Sequence, residues 1–351
     1  MKQILLFTAF LFLNLNFAQN NISNITRNWV KLKIEMKDGS KLFDRFLEDS
    51  TYLKYAIGTN KFAMTSNPMN QINFKDDKLD INYTLVNNIM KTSEYSGYLI
   101  EKVTNDSLIL SDKINDLTDD KLKRYFFVRE ELILSQYKDK YKNKSSIIAS
   151  KLFTPKVNSS LQQDLSFAFK NNSSNFSAAG NILIFPKEKR VQTTIVFSTL
   201  NDSSSIKKIK KVVDKSFEYW DLKNFENYDS IELPFVLRNK KTKAYKGLTI
   251  IFLTKDTNEL EIVIGGKLED SRKSEFYFQK AIQSYQEKNF LKAVEYFTES
   301  YKSDPKNLDA LYNKAASYAG LGDKENACKV WKEISDLGQV NGKELYLNNC
   351  Q

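Results

Sequence analysis

The sequence predicts a multidomain protein: a β-rich amino-terminal domain (barrel or sandwich), an α+β middle domain and all-α helical hairpins at the carboxy terminus. Three observations predict this. Apolar and polar residues alternate from Trp29 to Met36 and again on both sides of Asn105-Asp106, which is the period of a half-buried strand. Strand-like runs flank a stretch of helical periodicity between 180 and 266. Beyond 274, like residues return at a fixed interval.

At 351 residues the chain exceeds a single compact core. Its 41% hydrophobic and 13% aromatic content, with 24 Phe and 18 Tyr, suffices for packed domains rather than disorder. The first element is a leader. Lys2 precedes an apolar run from Ile4 to Phe17, broken by Thr8, Asn14 and Asn16, and cleavage is expected after Ala18. That run is too short to span a bilayer, and no later segment is long enough. The mature chain is therefore expected to be exported, to the periplasm or beyond.

Residues 20–135 read as the β domain. Trp29 to Met36 leads to a tight turn at Asp38-Gly39 and a return through Lys41-Leu42-Phe43. A hairpin runs from Tyr98 to Val103, turns at Asn105-Asp106 and returns over Ser107 to Leu110, and a further strand covers Tyr125 to Arg129. The early Trp and the Ile-Glu-Lys-Val-Thr-Asn-Asp-Ser-Leu-Ile-Leu hairpin resemble the lipocalin-like domains of Bacteroidetes. That resemblance implies a barrel able to carry a small apolar ligand, or one filled by its own side chains. Residues 136–179 read as a boundary region, from the charged run Tyr137 to Lys144 and the low-complexity Asn171 to Asn175.

Residues 180–268 read as α+β. Gly180–Phe185 and Thr193–Phe197 are strand-like. A helix capped by Ser205 is predicted to align Ile206, Ile209, Val213, Phe217 and Trp220 on one face, with Lys207, Lys208, Lys210, Lys211 and Lys215 on the others. Further strands are predicted at Ile231–Leu237, Leu248–Leu253 and Leu260–Ile264. The order strand, amphipathic helix, Trp, then a strand with Leu-Pro-Phe resembles the TonB carboxy-terminal domain, which implies a periplasmic peptide-binding fold. The lysines are expected to form a solvated face.

Residues 271–351 carry the most regular signal. Tyr277, Ala281, Ala293 and Phe297 return as Leu311, Ala315, Ala327 and Trp331, each pair 34 apart (311−277, 315−281, 327−293, 331−297). Asp304-Pro305-Lys306-Asn307 breaks the two copies, since proline cannot continue a helix. The spacing identifies the segment as similar to tetratricopeptide repeat proteins of the Bacteroidetes type, with small residues letting paired helices approach closely. Ser300 stands where the family favours Ala. Gly342 to Leu347 is expected to supply the capping helix that stacked repeats need. Cys328 and Cys350 are the only cysteines. On adjacent helices in an oxidising compartment they are expected to form a disulfide that adds roughly 3 kcal/mol.

The charge is +10, from 53 Lys+Arg against 43 Asp+Glu. It is read as a lysine-rich solvated surface, with no nucleic-acid-binding motif to make it selective. The sequence holds no histidine, which removes Ser-His-Asp, Cys-His and His-ligated metal chemistry. No P-loop, HExxH or nucleophile elbow is present, and the adjacent pairs Asp119-Asp120 and Glu130-Glu131 point to different faces. The function expected is therefore that of an exported, non-enzymatic interaction or scaffold protein with no cofactor. Its partner would be a protein or peptide, and association with envelope components fits. The alternative is small-molecule or lipid carriage by the β domain.

Overall fold

A computed structural model of the chain describes residues 24–256 and 266–351, apart from 45–46, 49, 71, 73, 75–79, 172–174, 200–202 and 242–245. The leader with Ala18 and the strand expected at Leu260–Ile264 lie outside the described residues.

Nine antiparallel strands form the amino-terminal sheet: β1 (Asn28–Met36), β2 (Lys54–Ile57), β3 (Lys61–Thr65), β4 (Ile81–Asn82), β5 (Thr84–Val86), β6 (Ile89–Lys91), β7 (Ser96–Val103), β8 (Ser107–Ile114) and β9 (Lys123–Arg129). Their order is β4-β3-β2-β1-β9-β8-β7-β6-β5. The two edge strands β4 and β5 are separated in sequence by Tyr83 alone. The ends of the sheet therefore meet, and the sheet curls into a nearly closed barrel. Asn87 (φ 48°) and Asn88 (φ 62°) make the β5–β6 turn, where asparagine tolerates the left-handed backbone that a two-residue hairpin requires.

Alternation puts Trp29, Ile34, Tyr55, Phe62, Tyr83, Met90, Leu108, Leu110, Tyr125 and Phe127 into the barrel interior. The rings of Tyr55 and Phe127 lie 4.9 Å apart, centre to centre, and those of Tyr55 and Phe62 5.8 Å. Side chains fill this space. The polar ends are paired within it: Trp29 Nε1 donates to Ile25 O at 2.8 Å, and Tyr83 Oη to Gly58 O at 2.6 Å. The turn at Asp38-Gly39 forms, with Gly39 at φ 91°. The expected return strand at Lys41–Phe43 does not, because the Lys41 N–H donates to Gly338 O (3.0 Å), far along the chain, rather than to β1.

The middle region is a second sheet with helices: α1 (Glu130–Tyr141), β10 (Ser146–Ile148), β11 (Lys156–Val157), α2 (Ser160–Ala168), β12 (Phe176–Phe185), β13 (Arg190–Ser198), α3 (Ser203–Asp214), β14 (Trp220–Asp221), β15 (Ser230–Lys241) and β16 (Lys246–Phe252). The sheet order is β10-β15-β12-β13, with β16 also on β15 and β11 paired to β14. Pro234 sits in the central strand β15, between the residues paired to β10 (Ser230 to Glu232) and those paired to β16 (from Phe235). This handover between neighbours is where a residue without an N–H does least harm.

Two expectations need correction here. Residues 136–179 are no bare boundary, since Ile147, Phe153, Leu161, Leu165, Phe169 and Phe176 from this stretch are buried in the core of the second sheet. Its charged surface run masked the apolar positions on either side. The helix expected to reach Trp220 stops at Asp214. Phe217–Tyr219 is a single 3₁₀ turn, and Trp220 enters β14 with its indole N–H on the buried Ser216 Oγ at 3.0 Å.

Glu130 joins the barrel to the separate two-stranded β11–β14 ribbon of the middle region. Its Oε1 accepts from Lys54 Nζ on β2 (3.3 Å) and from Lys156 Nζ on β11 (3.2 Å), with Lys54 only 2% exposed. Val30, Tyr52 and Ile133 pack beside this cluster.

The chain ends in five helices: α4 (Gly266–Gln286), α5 (Phe290–Ser303), α6 (Leu308–Gly320), α7 (Lys324–Asp336) and α8 (Val340–Cys350). Each packs against the next.

Candidate interaction surface

The helical array is built on the eight positions picked out by spacing. Ala281, Ala293, Phe297, Leu311, Ala315 and Ala327 are all fully buried. Tyr277 and Trp331 are half-buried: Tyr277 stacks on Tyr296 with centroids 6.4 Å apart, and Trp331 packs beside Leu311, Ala315, Val330 and Ile334. The interval extends to the turns. Asn289 and Asp323 (323−289 = 34) each cap a helix, accepting from the N–H three residues on. The residues before them, Lys288 (φ 59°) and Gly322 (φ 74°), share the left-handed backbone (322−288 = 34).

Ser300 has more to do than fill space in place of alanine. Its hydroxyl donates to Ser274 O at 2.9 Å, and Asn307 Nδ2 reaches both Ser274 Oγ (3.2 Å) and Ser300 Oγ (3.3 Å). Both serines are 0% exposed, so this satisfied polar node ties α4, α5 and the start of α6 in one register. Spacing alone could not show that these three residues, 26 and 33 positions apart in sequence, converge.

The last helix is closed onto the array by contacts of different kinds. Cys328 and Cys350 form a disulfide. Gly342 is the one buried residue of α8, and a Cβ there would lie 2.4 Å from Ile334 Cγ2. Glycine is thus required for the approach of α8 to α7.

The amino end of α8 is capped by another part of the molecule. Ser40 Oγ on the barrel accepts from Val340 N at 2.9 Å. One N–H group that a helix start leaves unpaired is thereby satisfied. Gln339 Nε2 donates to Lys41 O at 2.8 Å. Lys306 Nζ donates to Asp44 O at 2.9 Å and pairs with Glu48, while Lys121 and Asp309 pair at 3.5 Å. The array therefore docks on the barrel through these bonds.

Between barrel and array lies a cleft of about 450 Å³, lined in part by Phe43, Lys41, Lys121, Asp309 and Tyr312. Burial, then the carboxylates of Asp38, Asp120 and Asp309, push the Tyr312 hydroxyl up to about 12, against the opposing pull of the Gly342 N–H. Tyr312 therefore stays a neutral phenol at physiological pH. The cleft is mixed in charge and its cations are largely paired. It offers hydrogen-bonding groups on two walls. Of the carboxylates in adjacent pairs, Glu130 is held below the ordinary carboxylate range: burial opposes this, but Lys54 and Lys156 outweigh it. Among the described residues no three His, Cys, Asp or Glu side chains come together to hold a metal. No helix among them is long and apolar enough to cross a membrane.

Sequence reasoning missed Ser40, Lys41 and Gln339. The signal that was present was a pair of turns, Asp38-Gly39 and Gly338 (φ 79°), with nothing to say that they meet. No family model matches the chain, and no curated protein shows significant similarity to it.

Proposed function

We propose that this chain is an exported, non-enzymatic interaction or scaffold protein whose carboxy-terminal helices are two tetratricopeptide repeats closed by a capping helix. One observation carries the reading: the 34-residue interval holds in the buried small residues, in the helix caps and in the left-handed turn positions. A recurrence at three levels supports a repeated unit over a chance pattern. Its partner is a protein or peptide, recognised by the exposed sides of α4 and α6. Docking on the barrel covers one end of the array, so the working surface is what remains. The disulfide and the leader support export.

Carriage of a small molecule by a lipocalin-like barrel has less support, since aromatic side chains occupy the interior. The TonB-like reading of 180–268 is weakened by the helix that stops six residues short of Trp220.

The test is crosslinking in the native envelope, with photoreactive residues at Glu275, Lys280 and Ala319 on the array and, as comparators, at Lys91 and Lys113 on the barrel. Defined adducts from the array positions are expected. Adducts confined to the barrel positions would overturn the reading.

A further inference from the structure

The surface of the middle region carries a feature that the interaction reading does not use. Helix α3 buries Ile209 and Val213 in the core of the second sheet. Its outer side presents Lys207, Lys208 and Lys211, followed by Lys215 just beyond its end, all exposed. Lys207–Lys211 and Lys211–Lys215 are four apart and Lys208–Lys211 three apart, spacings at which like charges repel. Two other exposed cations of the middle region do meet carboxylates, in Lys187–Asp229 (2.7 Å) and Arg190–Glu188 (2.6 Å). Among the described residues none of these four lysines is ion-paired. The folded structure thus concentrates positive charge that it does not neutralise.

Apolar surface lies beside the lysines. Phe167, at the end of α2, is 69% exposed, with Lys170 Nζ 4.1 Å from its ring centre. Phe167, Phe169, Ser205 and Lys208 border a common hollow of about 510 Å³ that joins α2 to α3.

We propose that α3 and the end of α2 form a peripheral membrane-binding face, with the lysines on anionic lipid headgroups and Phe167 at the headgroup–acyl boundary. The arrangement fits a bilayer surface because that surface takes both kinds of group at once: cations at the phosphates and aromatic rings just below them. The apolar side of α3 is committed to the core, so the helix lies on the surface and does not insert. A polynucleotide shares the phosphate chemistry but draws on open ring faces for stacking, and one face of Phe167 is covered by its own lysine. The contact is independent of the proposed repeat surface and would hold the array close to a membrane.

The test is flotation of the chain from Gln19 onward, which includes every described residue, with vesicles of phosphatidylcholine alone or with a third phosphatidylglycerol. Binding is expected only to the anionic vesicles and to fall in high salt. Lys207→Gln with Lys208→Gln and Lys211→Gln should weaken it roughly a hundredfold, at about 1 kcal/mol per lysine. Lys91→Gln with Lys102→Gln and Lys113→Gln, the same charge loss on exposed barrel positions, should leave it within about twofold. Phe167→Ser should weaken binding with no change in the salt slope. Circular dichroism confirms that each variant is folded. The proposal fails if the anionic vesicles do not bind, if both triple variants lose binding equally, or if single-stranded DNA binds through these lysines and the vesicles do not.

Discussion

Replacing Glu130 by Gln tests the junction of the barrel with the two-stranded β11–β14 sheet. The substitution keeps the shape of the side chain and removes the charge that two lysines share at 3.3 and 3.2 Å. Lys54 is 2% exposed, so its ammonium cannot recover hydration in the folded chain. Removing one partner from such a buried pair costs about 3–5 kcal/mol. The loss should also depend on pH. Burial pushes Lys54 down to about 8, Glu130 holds it up, and Lys156 adds to the downward push. A depressed lysine binds fewer protons folded than unfolded between its two pKa values. Its stability effect therefore rises with pH, from about 8 to 10.5 in the native chain. Without Glu130 that window opens at lower pH, because Lys54 sheds its proton sooner.

The destabilisation should therefore be larger near pH 6, where Lys54 is forced to stay charged, than near pH 9, where it is relieved. Glu130 itself also makes stability rise with pH, but in the acid range. Its contribution is present above its unfolded pKa and is lost as pH falls through the depressed folded value. The assay is urea unfolding in a Trp331→Phe background, so that emission reports Trp29 and Trp220, one in each joined sheet. A loss below about 1 kcal/mol at both pH values, or a larger loss at the higher one, would refute the reasoning.

Three further outcomes are expected. Gly342→Ala should speed amide exchange in α7 and α8, because about 1–3 kcal/mol of overpacking against Ile334 exceeds the gain of about 1 kcal/mol in helix propensity. In an Ile334→Ala background the same change should become neutral or stabilising, and an unchanged effect there would place the clash elsewhere. Cys328→Ser with Cys350→Ser should cost the array roughly 3 kcal/mol by the loop-closure relation. Reduction should likewise release α8 in hydrogen exchange before α4 and α5, and protection of α8 that does not change on reduction would contradict this. Lys306→Ala should loosen the docking of the array on the barrel by no more than about 1 kcal/mol, since the ion pair is partly exposed. Small-angle scattering should show expansion in high salt for the variant before the parent, and identical salt profiles would remove Lys306 from the docking contact.

The strands were legible where one face is buried and the other wet. Tyr98–Val103 and Ser107–Leu110 lie within β7 and β8, which pair in antiparallel register, because alternation reports burial directly. The interval of 34 was legible for a similar reason: alanines at 281, 293, 315 and 327 have a place only where helices touch. Residues 136–179 were not. Lysines around α1 report the outside of a helix and conceal that Phe153 and Leu165 beyond it are core.

The sequence by itself determined the local periods, the absence of histidine and of any nucleophile motif, and the two cysteines available to close the last helix. Only the tertiary structure decided that β4 and β5 bring the barrel's edges together, that Lys54 and Lys156 converge on Glu130, and that Ser40 caps a helix 300 residues away. The physical reason is the range of the interactions. Periodicity records which side of an element meets water, whereas a shared proton acceptor or a borrowed cap depends on distant segments meeting, and a single sequence leaves no mark of that on either one alone.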